Sequence, residues 1–155
     1  MQRRLLVFAL TAHLVSSCAE VGPGSTGRPE PSLEGSWHLV SGTTDAGPLR
    51  LLPGHEVTLE VTGERASGRS ACNIYSGDVL VDGDRVRFRA LGSTEMACEP
   101  AVMVLEQHFL TALSGVDSAD LRNEQLRLTG RRVTLKFQRQ RPVRTAGLAL
   151  VYRAP

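Results

Sequence analysis

The chain has 155 residues, which is the size of one ordinary domain, so we expect a single folded domain. Apolar residues make up 41% and charged residues 22%, a balance typical of a globular protein and not of a disordered one. Aromatic residues are scarce at 5%, and 18 basic side chains stand against 16 acidic ones, so we expect no nucleic-acid-binding surface.

The first 18 residues resemble a bacterial lipoprotein signal peptide. Arg3 and Arg4 provide a positive start, and the apolar run that follows them ends near Val15, too short to span a membrane. The segment closes with the letters VSSC, and Cys18 stands where a lipobox carries its lipidated cysteine. A plain secretory signal with an incidental cysteine is the alternative. Lipidation predicts firm anchoring in the cell envelope, at the periplasmic face of the outer membrane, because acyl chains bury many methylene groups.

The rest of the chain divides into three parts. Residues 19–32 are rich in Gly, Pro and Ser and lack a periodic apolar pattern, so we interpret them as a flexible tether. The folded domain is predicted over residues 33–139. Residues 140–155 are either a C-terminal tail or an edge strand, since an apolar run occupies residues 148–152.

Alternation of apolar and polar residues predicts that most of the domain consists of antiparallel strands. Strands are expected at residues 33–40, 56–62, 65–70, 79–81, 85–91, 120–122, 125–128 and 132–138. The sequence Asp82-Gly83-Asp84 has strong turn chemistry and predicts a hairpin between two of them. Residues 41–54 are rich in Gly, Thr, Asp and Pro and are predicted to form a loop.

One helix interrupts the strands. Residues 101–113 have helical spacing, Pro100 stands at the first helical position and Gly115 stops the helix. Strands, one helix and more strands predict an α+β domain: a strongly curved antiparallel sheet, or partial barrel, with one main helix packed against it.

Arginines alternate along one predicted strand. Arg85, Arg87 and Arg89 are expected to face solvent because every second residue of a strand shares a face. We expect them to pair with acidic residues across strands, such as Glu56 and Glu60, and contact with an acidic lipid is the alternative.

Several motifs follow one another in this domain. They are LEGSW at residues 33–37, SGRSACNIYSG at 67–77, STEMAC at 93–98 and a helical stretch that contains Glu106 and Phe109. In this order they resemble the META domain family (DUF306), which includes the HslJ heat-shock lipoproteins. The resemblance covers residues 33–138. One departure is Ala71, where the family usually has Gly. Because a left-handed backbone suits a residue with a Cβ less well, the turn before Cys72 is expected to differ slightly from the family's.

The resemblance marks a set of motif positions for fold or for ligand binding: Trp37, Asn73, Tyr75, Thr94, Met96, Glu106 and Phe109. We expect the Asn73 amide to bond loop backbone groups, with ligand contact as the alternative. Tyr75 and Trp37 should be core aromatics with a polar tip at the surface. Thr94 should bond backbone near the start of the helix, and Met96 should fill core.

Glu106 admits two interpretations. It lies three residues before Phe109 and therefore shares that side of the helix. It is either a solvated flank of the helix or a partly buried carboxylate paired with an arginine such as Arg69.

Cys72 and Cys98 are the cysteines that remain once Cys18 is lipidated. In an oxidising compartment a disulfide between them is the default expectation. Two reduced thiols, or a metal pair completed by a histidine, are the alternatives, although the spacing lacks the CxxC pattern of zinc sites. We expect no metal site and no cofactor.

The sequence favours a protein that is not an enzyme. It contains no G-x-S-x-G or H-E-x-x-H motif, and an enzyme would require a carboxylate or histidine of perturbed pKa beside a cleft. The resemblance implies a non-catalytic envelope lipoprotein that acts in envelope or heat stress or in antibiotic tolerance, for example of novobiocin.

The alternative function is a binding module, comparable to secretion-pilot lipoproteins, that holds a lipid acyl chain or a hydrophobic peptide in a cleft of the sheet. The expected partners are the membrane, through the N-terminal lipid, and a hydrophobic peptide, lipid or envelope protein. We expect a monomer that binds no nucleic acid.

Overall fold

The computed structural model describes residues 32–140, which contain nine strands and one helix. The elements are β1 Gly35–Thr44, β2 Gly47–Pro48, β3 Thr58–Thr62, β4 Arg65–Arg69, β5 Ile74–Asp82, β6 Arg85–Ser93, α1 Pro100–Ser114, β7 Val116–Arg122, β8 Gln125–Gly130 and β9 Val133–Arg139. The predictions for the signal peptide, for Cys18, for most of the tether and for a strand at residues 148–152 lie outside the described residues.

Eight of these strands close into an antiparallel barrel. Strands β3 to β9 pair in sequence order, and β1 closes the ring by pairing with β3 on one side and with β9 on the other. The short β2 extends only the end of β1. Strand pairing is shortest between β6 and β7, where Arg85 lies opposite Ser118 as the single paired position within the described residues. The prediction of a curved antiparallel sheet with one helix is confirmed, but the barrel is closed where we expected a partial one.

The two ends of the barrel differ. One end, which we call the turn end, carries the two-residue turns after β3, β5 and β7, where Gly63, Gly83 and Asn123 have positive φ angles as tight hairpin turns favour. The other end, which we call the helix end, contains the last residues of β1, β4, β6 and β8 and the first of β5, β7 and β9. The chain leaves β6 at this end, forms α1 and enters β7 there.

The barrel interior is filled by its own side chains. The largest buried side chains come from inward-facing strand positions and from α1: Trp37, Leu39, Leu59, Tyr75, Phe109, Leu113, Leu126, Leu128, Leu135 and Phe137. The ring of Phe109 meets that of Tyr75 edge-on with centroids 5.6 Å apart, so α1 contributes to the same core as the strands. The concave face of the sheet, where the binding-module hypothesis places its ligand, is therefore occupied by core side chains.

Two of the local predictions are wrong. Residues 41–54 are not simply a loop, because β1 continues to Thr44 after a register shift between Leu39 and Ser41 that breaks the apolar alternation. Arg85, Arg87 and Arg89 do face solvent, but β6 neighbours β5 and β7, so the predicted pairing with glutamates near β3 does not form. Within residues 32–140 no helix is long and apolar enough to cross a membrane.

Candidate functional site

The loop between β4 and β5 contributes the first part of the candidate site. Ser70 follows the last residue of β4, and its backbone N–H donates to the carbonyl of Asn73 at 2.8 Å, which closes a tight turn. Ala71 lies inside this turn with a φ of 95°, so it keeps the left-handed backbone to which the usual glycine of the family pattern is better suited. This turn presents the backbone N–H and the side chain of Asn73 towards α1.

Asn73 is the hub of the site. Its Oδ1 accepts hydrogen bonds from the backbone N–H of Met96 at 2.7 Å and from the Thr94 hydroxyl at 2.8 Å. Its Nδ2 donates to Glu106 Oε1 at 2.8 Å and to the Met96 carbonyl at 3.3 Å. Both acceptor and both donor positions of the amide are thus in use, which fixes its orientation.

Glu106 lies in the second turn of α1 and is only 6% exposed. Its Oε2 accepts hydrogen bonds from the Ser70 hydroxyl and from the Asn73 backbone N–H, each at 2.7 Å. Burial by itself raises the pKa of Glu106, but the hydrogen bonds from Ser70, Asn73 and the backbone of Cys72 outweigh burial and lower the pKa below its usual range. We call these contacts the Asn73–Glu106 network.

A disulfide closes the network covalently. Cys72 and Cys98 are bonded, with their Cα atoms 6.1 Å apart, so the loop before β5 is tied to the segment just before α1. The predicted disulfide is therefore present in the structure. Across residues 32–140 no buried side-chain polar atom lacks a hydrogen-bond partner, and no group of three or more His, Cys, Asp or Glu side chains is placed to hold a metal ion.

The aromatic motif residues pack behind the network. The Tyr75 hydroxyl donates to the carbonyl of Thr58 at 2.8 Å, and burial raises the pKa of Tyr75 above its ordinary value. Gly68 lies opposite Tyr75 in the sheet, and a Cβ there would collide with the Thr58 carbonyl. The glycine therefore allows the close approach that the Tyr75 hydrogen bond requires.

The residues of the network belong to sequence motifs that are typical of one family. The META domain profile matches residues 31–142, well over half of the chain. This chain belongs to the META domain family. Its barrel is also similar to solved structures. An NMR structure of a protein from Burkholderia xenovorans has 30% sequence identity and a TM-score of 0.59, over 70% of this chain and 83% of that one.

More distant structures share the fold of this META domain. A second NMR structure has 20% identity and a TM-score of 0.53, over 68% of this chain and 88% of that one. A crystal structure of a DUF4847 family protein from Bacteroides vulgatus has 16% identity and a TM-score of 0.51, over 70% of this chain and 94% of that one. No curated protein sequence matches this chain.

The structure brings most of the META motif residues together at the helix end. Asn73, Thr94, the backbone of Met96 and Glu106 form the network, and Phe109 and Tyr75 lie beneath it. Trp37 belongs to the other part of the barrel, where its Nε1–H donates to the carbonyl of Leu33 and Arg139 lies 4.1 Å from its ring centroid.

Several side-chain predictions for these META residues are wrong. Met96 does not fill core: the residue is 52% exposed, and only its backbone contributes hydrogen bonds to the network. Glu106 is neither solvated nor paired with an arginine, because within residues 32–140 its partners are Ser70, Asn73 and backbone groups. Trp37 and Tyr75 do not reach the surface with their polar tips, since the two residues are at most 1% exposed and each donates to a backbone carbonyl.

Two features of the network have no clear signal in the sequence. Thr94 bonds the side chain of Asn73 in addition to the backbone N–H of Ile74 at 3.2 Å. The sequence alone does not mark Ser70, which is fully buried and donates a hydrogen bond to the Glu106 carboxylate. The weak signal that points to Ser70 is its position two residues before Cys72 within the motif, where a small polar residue follows a strand.

Proposed function

We propose that this chain is a non-catalytic, lipid-anchored protein of the bacterial cell envelope whose META domain acts in envelope or heat stress or in antibiotic tolerance. The observation that carries the proposal is the disulfide between Cys72 and Cys98. Structural disulfides persist in oxidising compartments such as the periplasm and are rare in the bacterial cytosol. The signal-like first 18 residues would deliver the chain to such a compartment.

The Asn73–Glu106 network supports a structural and not a catalytic role for the META motifs. A general base that works at neutral pH needs a pKa near the operating pH, whereas the hydrogen bonds to Glu106 lower its pKa from an already acidic range. Both carboxylate oxygens are also engaged by Ser70 and Asn73. We therefore infer that the role of the network is to hold α1 against the barrel.

Metabolic labelling tests the lipid anchor. We expect the full-length chain, expressed with radioactive palmitate in a Gram-negative bacterium, to carry the label and to sediment with the outer membrane. Cys18→Ser should lose the label, whereas Cys98→Ser should keep it, because both variants lose one thiol but only the first loses the proposed acylation site. An unlabelled wild-type chain, or a Cys18→Ser variant that is labelled as strongly as wild type, contradicts the anchor.

Deletion of the gene in its own bacterium tests the role in stress. We expect the deletion strain to grow less well after heat shock or with novobiocin. Wild-type protein should restore growth, and the Cys18→Ser variant should not, since the proposal places the domain at the membrane. Normal growth of the deletion strain under both stresses contradicts this part of the proposal and leaves the anchor to be judged by labelling.

A second candidate function is binding of a hydrophobic peptide or an acyl chain on the surface. Ile74 and Met96, both adjacent to Asn73, are apolar residues that are 57% and 52% exposed. A photo-crosslinking residue at position 74 or 96 should capture an envelope component in cells if this surface binds one. Leu80, which is 40% exposed near the turn end, provides the matched control, and equal crosslinking at all three positions would reject a specific surface.

A further inference from the structure

A cleft at the helix end lies apart from the Asn73–Glu106 network. Its volume is about 630 Å³, within the range of small-molecule sites. The walls come from the C-terminal half of α1, the connection between β1 and β2 and the turn between β8 and β9. The polar and charged side chains in these walls include Asp45, Gln107, His108, Thr111, Arg131 and Arg132.

The turn between β8 and β9 has an unusual composition. The three two-residue turns at the turn end each contain a Gly or Asn with positive φ, as hairpin geometry favours. The turn in the cleft instead consists of Arg131 and Arg132, and neither has a positive φ angle. The demands of the turn therefore do not explain why two arginines stand there.

The local packing holds these arginines beside the helix. A Cβ on Gly130 would collide with the carbonyl of Gly115, so the β8–β9 hairpin packs directly against the end of α1. Both arginine side chains are exposed. Within residues 32–140 neither guanidinium forms a hydrogen bond or an ion pair, and the same is true of the Asp45 carboxylate in the same cleft.

Unpaired guanidinium groups at the mouth of a cleft suit one class of ligand. A guanidinium presents planar, paired donors that match the geometry of a carboxylate or a phosphate. Asp45 and Thr111 offer acceptors to hydroxyl groups, and the His108 ring offers a further polar contact.

We propose that this cleft binds a small organic oxyanion. Arg131 and Arg132 hold its phosphate or carboxylate group, and Asp45, His108 and Thr111 meet hydroxyl groups on its body. The site is independent of lipidation, so the labelling experiment and the binding experiment below succeed or fail separately.

Calorimetric titration of the full-length chain in detergent tests the site with three probes: glucose 6-phosphate, glucuronate and glucose. We expect saturable binding of at least one of the two anions with a Kd in the millimolar range or tighter, and no binding of glucose. The two anions separate phosphate from carboxylate recognition. In Arg131→Gln/Arg132→Gln the affinity should fall at least tenfold because both guanidinium groups are removed, and glutamine does not favour the positive φ angles that this turn lacks, so folding is preserved.

A matched variant controls for total charge. Arg85→Gln/Arg87→Gln removes the same two charges from the outer face of β6 and should bind the anion as wild type does. An equal loss in both double variants would show general charge attraction and overturn the proposal. Absence of saturable binding to both anions would also overturn it, and the arginines would then serve to offset the negative end of the α1 dipole, because the last turn of α1 has no basic residue.

Discussion

The Glu106→Gln substitution tests the Asn73–Glu106 network with almost no change in shape. The carboxylate accepts hydrogen bonds from the Ser70 hydroxyl, from the Asn73 backbone N–H and from Asn73 Nδ2. A carboxamide keeps one acceptor oxygen and replaces the other with a donor. The nitrogen of the introduced carboxamide therefore faces a hydrogen-bond donor in either of its two orientations.

The Asn73 side chain cannot relieve this conflict by rotating its amide. Its Oδ1 already accepts from Thr94 and from the Met96 backbone, and a rotated amide would lose both bonds. The variant loses at least one hydrogen bond to a charged group, so we expect the free energy of unfolding to fall by about 2 to 3 kcal/mol. A domain of this size has about 5 to 15 kcal/mol of stability, so the variant should still fold.

Urea unfolding followed by fluorescence measures this loss. The chain has one tryptophan, and Trp37 is fully buried in the barrel, so its emission reports global unfolding. Glu95→Gln is the matched control, because it removes the same charge from the exposed loop before α1. We expect the control to lie within about 0.5 kcal/mol of wild type.

The pH dependence gives a second readout of the same network. Because folding lowers the pKa of Glu106 from its usual value of 4.5, the unfolded chain binds a proton before the folded one as the pH falls. The contribution of Glu106 to stability is therefore complete above pH 4.5 and is lost as the pH falls towards the lowered pKa. The stability difference between wild type and Glu106→Gln should shrink over this acidic range. A difference that is constant with pH, or a variant as stable as wild type, would show that the Glu106 carboxylate does not stabilise the fold through this network.

The remaining predictions use the same unfolding assay. Asn73→Asp places a second carboxylate against Glu106 and should lower the free energy of unfolding by about 3 kcal/mol or more at neutral pH. Part of this stability should return at about pH 5, where the two carboxylates share a proton, and equal stability at both pH values would contradict this. Cys72→Ala/Cys98→Ala removes a disulfide between residues separated by 26 positions and should lower the free energy of unfolding by about 3 to 4 kcal/mol. A loss below about 1 kcal/mol would show that the disulfide adds little stability. Ala71→Gly should raise stability by about 0.5 to 1 kcal/mol because φ is 95°, and a lower stability would show that this angle is not strained.

Local chemistry predicted the helix and the central hairpin well. Pro100 opens α1, and the turn at Asp82-Gly83-Asp84 joins β5 and β6 as the sequence indicates. Such features depend on a few neighbouring residues, so one sequence suffices to find them. Closure of the barrel depends instead on the pairing of β1 with β9, between segments about a hundred residues apart, and it has no local signal.

The network shows why the details of the site were harder to predict. Helical spacing places Glu106 on the side of Phe109, but it does not reveal that Asn73, 33 residues earlier, faces that carboxylate. Its place in a motif predicts a core position for Met96, whereas its backbone N–H and carbonyl bond Asn73 and the residue is exposed. The motif therefore indicates which positions matter, but it does not indicate whether the backbone or the side chain makes the hydrogen bonds.

The intact mass of the mature protein, extracted from envelope membranes without reducing agent, tests the lipid anchor and the disulfide together. A lipid-anchored chain with a disulfide-locked META barrel should begin at Cys18, carry acyl groups and lack the hydrogens lost when Cys72 and Cys98 join. A chain that retains its first 17 residues, that carries no acyl group, or that has both thiols reduced would contradict the account.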